Sequence, residues 1–257
     1  MAGRKTKVFG QISTMSFYKF RPISRYLIES IVTPCIYFSK PAELNDPFDC
    51  QLNIKSLFED ERFSTDVRLI DVKQRFERHG FFNDFPPLPG FSEHGIFCVS
   101  KSEIVGNESE TLMWSHYADQ HKGVRLKYDL IPTSCQEFSG VTAHTDVFYD
   151  SDSQLIEFLL ESDKCGYEFY SEFCNRYLTV KHPAWKYEQE YRFFRPHFGS
   201  VRIPPACLLE VCFGLNTSPA DIRLITEYAS KYCGCTTFKE KVRGNGLFDS
   251  HERELTI

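Results

Sequence analysis

The spacing of apolar positions along the chain changes period several times, and each change marks an element. Phe17-Tyr18-Lys19-Phe20-Arg21 mixes aromatic and basic residues and predicts a first strand, closed by Pro22. Tyr26, Leu27, Ile28 and Ile31 then recur at helical spacing over 24–31. Thr33-Pro34 stops that helix, and Ile36-Tyr37-Phe38-Ser39 predicts a second strand. Over 57–80, Phe63, Val67, Ile70, Val72 and Phe76 form the inner stripe of an amphipathic helix whose charged residues make a solvated face. A surface loop over 83–90, carrying Pro86-Pro87-Leu88-Pro89, leads to a buried strand at 96–100. After a polar loop come a short helix over 112–118 and a strand over 124–128. Another strand is predicted over 143–149 and a long helix over 153–177, with Leu155, Phe158, Leu159 and Phe169 inward. Leu208 to Phe213 is an apolar strand, and Ser218-Pro219-Ala220-Asp221 opens a helix running to about Tyr232: cap, proline and acid each sit where a helix start favours them. Strands over 236–242 and 247–255 complete the sheet.

The stretch His182-Pro-Ala-Trp-Lys-Tyr-Glu-Gln-Glu-Tyr-Arg192 concentrates chemistry. Pro183 ends the preceding helix. Beyond it, Tyr187, Tyr191, Phe193 and Phe194 favour a strand, whose period of two puts Glu188, Glu190 and Arg192 on one face and Tyr187, Gln189 and Tyr191 on the other. Two readings are open: a solvated face with an ion pair, or a carboxylate pair beside a pocket wall of Trp185 and tyrosines. Asn45-Asp46-Pro47-Phe48-Asp49 carries strong turn chemistry, and its two aspartates either face solvent in an Asx turn or shape a site. Trp114, His116, Tyr117 and His121 crowd side chains able to stack on and hydrogen-bond a planar ligand.

Composition narrows these readings. The 257 residues, 42% hydrophobic and 15% aromatic, suffice for one large domain over 17–257 behind a short basic tail over 1–16. No run approaches the ~18 apolar residues of a membrane span, and the basic start is followed by no apolar signal region, so a cytoplasmic location away from membranes is expected. Ten cysteines, several inside apolar runs such as Ile96-Phe97-Cys98-Val99, read as reduced core residues. Cys233-Gly-Cys235 and the Cys207/Cys212 pair lack zinc spacing, and His116 and His121, five apart, do not share a helix face, so no metal site is expected from them. The net charge of −5 argues against broad electrostatic binding to nucleic acid.

Tyr18-Lys19-Phe20-Arg21, Asn45-Asp46-Pro47-Phe48-Asp49, Met113-Trp114-Ser115-His116-Tyr117-Ala118 and Trp185-x-x-Glu188-x-Glu190-x-Arg192, in this order, resemble the signatures of a bacterial family of unknown function, DUF2971. The order of parts is also similar to the ADP-ribosyltransferase superfamily. That resemblance implies an α+β fold with a split mixed or antiparallel sheet flanked by helices, around an NAD-binding cleft. It implies that Arg21 or Tyr18 is the first-strand element, Ser100 the second, and Glu190 the third with Glu188 two residues before it. Ser100-Lys101-Ser102 departs from the superfamily's usual Ser-Thr-Ser.

The chemistry implied is cleavage of the nicotinamide–ribose bond, in which a carboxylate stabilises positive charge growing on the sugar. Glu190 would do this and Glu188 would activate the acceptor. Arg21 would hold the pyrophosphate, and Tyr117 or Trp114 would stack on nicotinamide, with His116 beside them. NAD is then a co-substrate, and the acceptor is a protein or nucleic acid, as in a bacterial toxin or antiphage defence effector, or water, as in a glycohydrolase. Two alternatives stand beside this reading. One is a Mg²⁺-dependent nuclease using Asp46, Asp49, Glu188 and Glu190, since hard divalent ions take carboxylate oxygens. The other is a binding module with no catalysis, its aromatic cleft recognising a ligand or partner.

Overall fold

The computed structural model describes residues 16–50, 58–78, 91–130, 140–149, 152–161, 166–247 and 249–256. Most of the basic tail and the proline-rich 83–90 loop lie outside the described residues. Twelve strands are described: β1 (Ser16–Arg21), β2 (Cys35–Phe38), β3 (Gly95–Ser100), β4 (Val124–Asp129), β5 (Ala143–Asp146), β6 (Phe148–Tyr149), β7 (Val180–Lys181), β8 (Glu190–Arg195), β9 (Gly199–Arg202), β10 (Leu208–Phe213), β11 (Thr237–Arg243) and β12 (Ser250–Glu254). The α-helices described are α1 (Arg25–Val32), α2 (Arg62–Thr65), α3 (Val67–Arg78), α4 (Glu110–Tyr117), α5 (Asp152–Glu161), α6 (Gly166–Thr179) and α7 (Pro219–Tyr228).

Eight strands form one open mixed sheet in the order β12-β11-β10-β4-β1-β3-β8-β5, with only the β10/β11 pair parallel. Helices flank it, so the fold is α+β. Alternation along the strands sends Phe17, Phe97, Val99, Tyr191, Phe193, Val211 and Phe213 into a core closed by Leu27 and Ile31 of α1 and Ile225 of α7. The other face takes Tyr18, Phe20 and Cys212 against Met113 and Trp114 of α4, and Ile96 and Phe194 against α3, α5 and α6.

The sheet is nearly split in the middle. β1 pairs with β4 along its full length, Ser16↔Asp129 to Arg21↔Val124, but meets β3 only at Tyr18↔Ser100. Beyond that pair the strands diverge. Ser39, just past β2, takes over the pairing with Ile96, and Lys19 Nζ crosses the gap to donate to the Cys98 carbonyl at 2.6 Å.

Several expected elements differ in detail. The helix over 57–80 breaks at Asp66, which is extended and whose carboxylate caps the next turn by accepting from Arg68 N at 2.9 Å; an acid favours starting a helix over continuing one. The helix over 153–177 is described as α5 and α6. The strand expected from Tyr187 begins only at Glu190. Pro183–Glu188 forms a 3₁₀ helix instead, with His182 Nδ1 accepting from Ala184 N, because proline presets the backbone dihedral of a first helical turn.

Candidate active site

A cleft of about 200 Å³ opens in the wedge between the diverging strands. Lys19 and Phe20 line one lip and Ile96 to Ser100 the other, with Tyr37 and Asn45 at the mouth and Asp49, Tyr117, Lys181, Glu188 and Glu190 at the deep end.

Three elements deliver the charged groups. Glu190 and Arg192 leave β8 on the face shared with Ser100 and Cys98, their register partners on β3. Glu188 reaches the same place from the 3₁₀ helix, because Gln189 turns through a left-handed conformation at φ 47° before the strand begins. Lys181 comes from β7, paired in parallel with β6 through Tyr149↔Lys181. The Tyr149 hydroxyl in turn accepts from Glu190 N at 2.7 Å.

Lys181 Nζ lies 2.5 Å from Glu188 Oε2, 2.9 Å from Glu190 Oε2 and 3.6 Å from Asp49 Oδ2. Arg192 donates from Nε to Glu190 Oε1 at 2.7 Å and from Nη2 to Asp49 Oδ2 at 2.6 Å, and its Nη1 donates to the Leu178 carbonyl at 2.7 Å. All five groups are buried, Arg192 completely. The solvated-face reading of this strand is therefore overturned: the charges face inward and satisfy one another.

Among the directly paired groups, three carboxylates against two cations leave one negative charge in surplus, with Lys19 acting on Glu190 and Glu188 from the cleft wall without a direct ion pair, and the site resolves it unevenly. Burial pushes Glu188 up to about 7, with Lys181 opposing and Glu190 adding to the rise. Burial acts on Glu190 in the same sense, but Arg192 and Lys181 outweigh it and hold that carboxyl ionised well below the usual range. Burial works against the Lys181 ammonium, yet Glu190, Glu188 and Asp49 raise it overall, so it is a fixed cation. Burial and the Glu188 charge keep the Tyr117 phenol protonated, and it donates to Glu188 Oε1 while accepting from Asn45 Nδ2 at 2.8 Å.

The expected site residues divide accordingly. Tyr18, Ser100 and Glu190 stand in register on three adjacent strands and line the cleft with Glu188 and Tyr117. Arg21 does not line it. It ends β1 at the pair Arg21↔Val124, beyond the residues of that strand that line the cleft, and its charge acts on Cys35, Tyr128 and Lys19. Trp114 is also off the cleft: it is buried edge-on to Phe20 and donates from Nε1 to Glu110 Oε1 at 3.1 Å, a core role. His116 is exposed, 2.9 Å from the Tyr187 hydroxyl through Nδ1. Asp46 closes an Asx turn by accepting from Phe48 N at 3.0 Å, while Asp49 enters the charge cluster; both are buried, which overturns the exposed-acid reading of that turn. For the nuclease arrangement, the place where Asp49, Glu188 and Glu190 converge is filled by the Lys181 ammonium, and Asp46 is held in its own turn.

Lys181 is the member of the cluster that the sequence does not single out. In Thr-Val-Lys-His-Pro it reads as a solvated residue at a helix end. The signal available was arithmetic: Glu188, Glu190 and Asp49 together need more positive charge than Arg192 supplies.

No helix among the described residues is long and apolar enough to cross a membrane. No curated protein and no solved structure matches the chain. Residues 113–193, which run from α4 through Lys181 and Glu188 to Arg192 of β8, match the model of a family described as Protein of unknown function (DUF2971), and over that stretch the chain is similar to that family.

Proposed function

We propose that the cleft cleaves an N-glycosidic bond, with NAD as co-substrate, and passes the ADP-ribosyl group to a macromolecular acceptor or to water. The observation that carries this reading is the pair of carboxylates on one ammonium whose proton affinities the site drives apart. Glycosidic cleavage needs such a pair: a carboxylate that stays ionised against a sugar acquiring positive charge, and a second that exchanges a proton near neutral pH. Glu190 has the environment of the first and Glu188 of the second. Tyr18 and Ser100, in register with Glu190, supply the neighbouring wall and hydroxyls.

A volume of about 200 Å³ is below the roughly 300 Å³ at which pockets for drug-sized ligands begin. It suits the nicotinamide–ribose end of the dinucleotide and leaves the adenylate at the mouth, beside Tyr37 and Glu43. Arg21 is not available to hold the pyrophosphate, and Lys19 is the cation within the cleft wall that remains besides Lys181.

The test is nicotinamide release by the purified chain with NAD, an adenylate label reporting transfer. The expected result is release that falls on the order of 100-fold or more in Glu190→Gln, the scale of losing one preorganised electrostatic contact to the reacting centre. Glu188→Gln should lose a similar factor through its acid–base role. Absence of release with cell extract added as acceptor, or undiminished release in Glu190→Gln, overturns the reading.

A further inference from the structure

The segment Asn45-Asp46-Pro47-Phe48-Asp49 reaches the site with both of its ends. Asp46 Oδ1 accepts from Phe48 N at 3.0 Å and the Asp46 carbonyl accepts from Asp49 N at 3.0 Å, a turn that aspartate and proline favour. The turn sets Asp49 against Arg192 and Lys181 inside the cluster. It leaves Asn45 at the mouth of the cleft, where Nδ2 donates to the Tyr117 hydroxyl at 2.8 Å. Among the described residues this is the one hydrogen bond of the Asn45 side chain. It is exposed, and such a bond adds little to stability, so the fold does not depend on it.

We propose that Asn45 is a positioning residue: its amide holds the Tyr117 hydroxyl as a donor to Glu188 Oε1, which commits that oxygen as an acceptor and leaves Oε2 to release and regain the proton that the carboxyl exchanges. The proposal rests on the reading of Glu188 as the acid–base group of the cleft. The direction of the chain follows from which atoms carry hydrogens. An amide nitrogen only donates, so it fills a lone pair of the phenol oxygen and cannot take the phenol's own proton. That proton is left to Glu188 Oε1. Lys181 also only donates, to Oε2, so the carboxyl binds its proton on the lone pair of Oε2 that remains. Asn45 and Tyr117 keep their own protons while Glu188 exchanges.

The chain also sets where Glu188 titrates. Donation from Tyr117 favours the ionised carboxyl, and donation from Asn45 polarises the phenol O–H and strengthens it. Burial and Glu190 act the other way and bring the group up to about 7. The Asn45–Tyr117 arm thus keeps the carboxyl from climbing past neutrality, where it would no longer give up its proton. The other groups facing Glu188 are Lys181 of β7, Glu190 of β8, Lys19 of β1, Asp49 of the turn and the Tyr149 and Tyr187 phenols. All of them stay in place when only Asn45 or Tyr117 is changed.

The experiment follows Glu188 without requiring turnover. The full chain carries ¹³C at its glutamate carboxyls and is titrated by NMR across neutral pH, the Glu188 signal being assigned by its loss in Glu188→Gln. Asn45 is exposed and Tyr117→Phe keeps the ring, so the variants keep the fold. Tyr117→Phe should raise the Glu188 midpoint by about 1 unit or more, and Asn45→Ala by about half a unit. Asn45→Asp, whose ionised carboxylate accepts the Tyr117 proton, should raise it at least as far as Tyr117→Phe. Asn45→Ala should add nothing in a Tyr117→Phe background, which a role in loop packing would not predict. Below the midpoint, the infrared C=O stretch of protonated Glu188 should rise in Asn45→Ala and in Tyr117→Phe, as for a carbonyl that loses a donor. A midpoint unchanged in Asn45→Ala, a shift that persists in the double variant, or a C=O stretch that does not move overturns the proposal. Nicotinamide release, measured separately, tests the reading of the cleft. A wild-type chain that releases none but shows these shifts loses the glycosidic chemistry and keeps the Asn45–Tyr117–Glu188 chain.

Discussion

Glu188→Gln isolates the electrostatic asymmetry of the site. In the folded chain Glu188 holds its proton up to about pH 7, whereas its ordinary value is 4.5. Between those values the folded state binds a proton that the unfolded state does not, so stability falls as pH rises through the window and levels off above it. A raised pKa of this size corresponds to about 3 kcal/mol across the window, at 1.36 kcal/mol per unit. Glutamine imitates the protonated carboxyl. Its carbonyl still accepts from Lys181 and it cannot ionise, so the variant lacks this slope. The stability difference, variant minus wild type, should therefore grow by about 3 kcal/mol from pH 4.5 to pH 7.5 and then stay flat. Urea unfolding at half-unit pH steps, at fixed ionic strength, reads it directly, because groups common to both chains cancel. Wild-type and variant curves that run parallel across the window would refute the assignment of Glu188 as the group that resolves the surplus charge.

Other substitutions test the packing that positions the site. Arg192→Met leaves Asp49 and Glu190 buried with one fewer cation and should cost about 3–5 kcal/mol in urea unfolding; a cost under about 1 kcal/mol would mean that water replaces the guanidinium. Glu110→Ala strips partners from Trp114, Arg125 and Lys241 at once and should cost a similar amount, with near-ultraviolet circular dichroism of Trp114 as a second readout. Gly123→Ala places a Cβ 2.2 Å from the Arg21 carbonyl, with backbone on the other side as well, and should lower stability by at least about 1–3 kcal/mol without touching the cleft. Gln189→Gly relieves a left-handed residue whose side-chain oxygen is buried without a partner, and should be neutral or stabilising by up to about 1 kcal/mol in thermal unfolding.

The strands of the central sheet were legible because their alternation is strong and their ends carry proline, glycine or caps. Phe17 to Arg21 and Leu208 to Phe213 fall where the pattern puts them. The convergence of Glu188 and Glu190 was legible too, but for a different reason from the one that operates. A strand period of two and a 3₁₀ turn followed by one left-handed residue both bring positions two apart to one side, so the sequence cannot distinguish them. Burial was not legible. Glu, Lys and Arg read as surface residues by frequency, and this face is covered by Asp49, Cys50, Leu178 and Lys181, which reach it from distant parts of the chain. Arg21 shows the same limit at single-residue scale: it is the last residue of β1, beyond the residues of that strand that line the cleft.

Buried charge alone does not mark the site, because the molecule carries a second network of the same kind. Arg125, fully buried, binds Glu110 at 2.6 Å, Glu252 at 2.8 Å and Glu210 at 3.1 Å, with Lys239 and Lys241 completing three cations against three acids. That set is neutral as it stands, lies across β4, β10, β11 and β12 where the strands pair closely, and needs no proton to balance. The Lys181 cluster has a surplus carboxylate, and it lies where the sheet has parted. Replacing either set with well-packed apolar residues would cost little or even stabilise, so stability does not explain why charges are kept in both places. In the Arg125 network the charges fix which strands and which helix meet, and its guanidinium lies 5.1 Å over the Tyr18 ring, setting one wall of the cleft. In the Lys181 cluster the unbalanced carboxylate, open to a cavity and hydrogen-bonded to a phenol, is a group able to change its protonation state while the fold around it stays fixed.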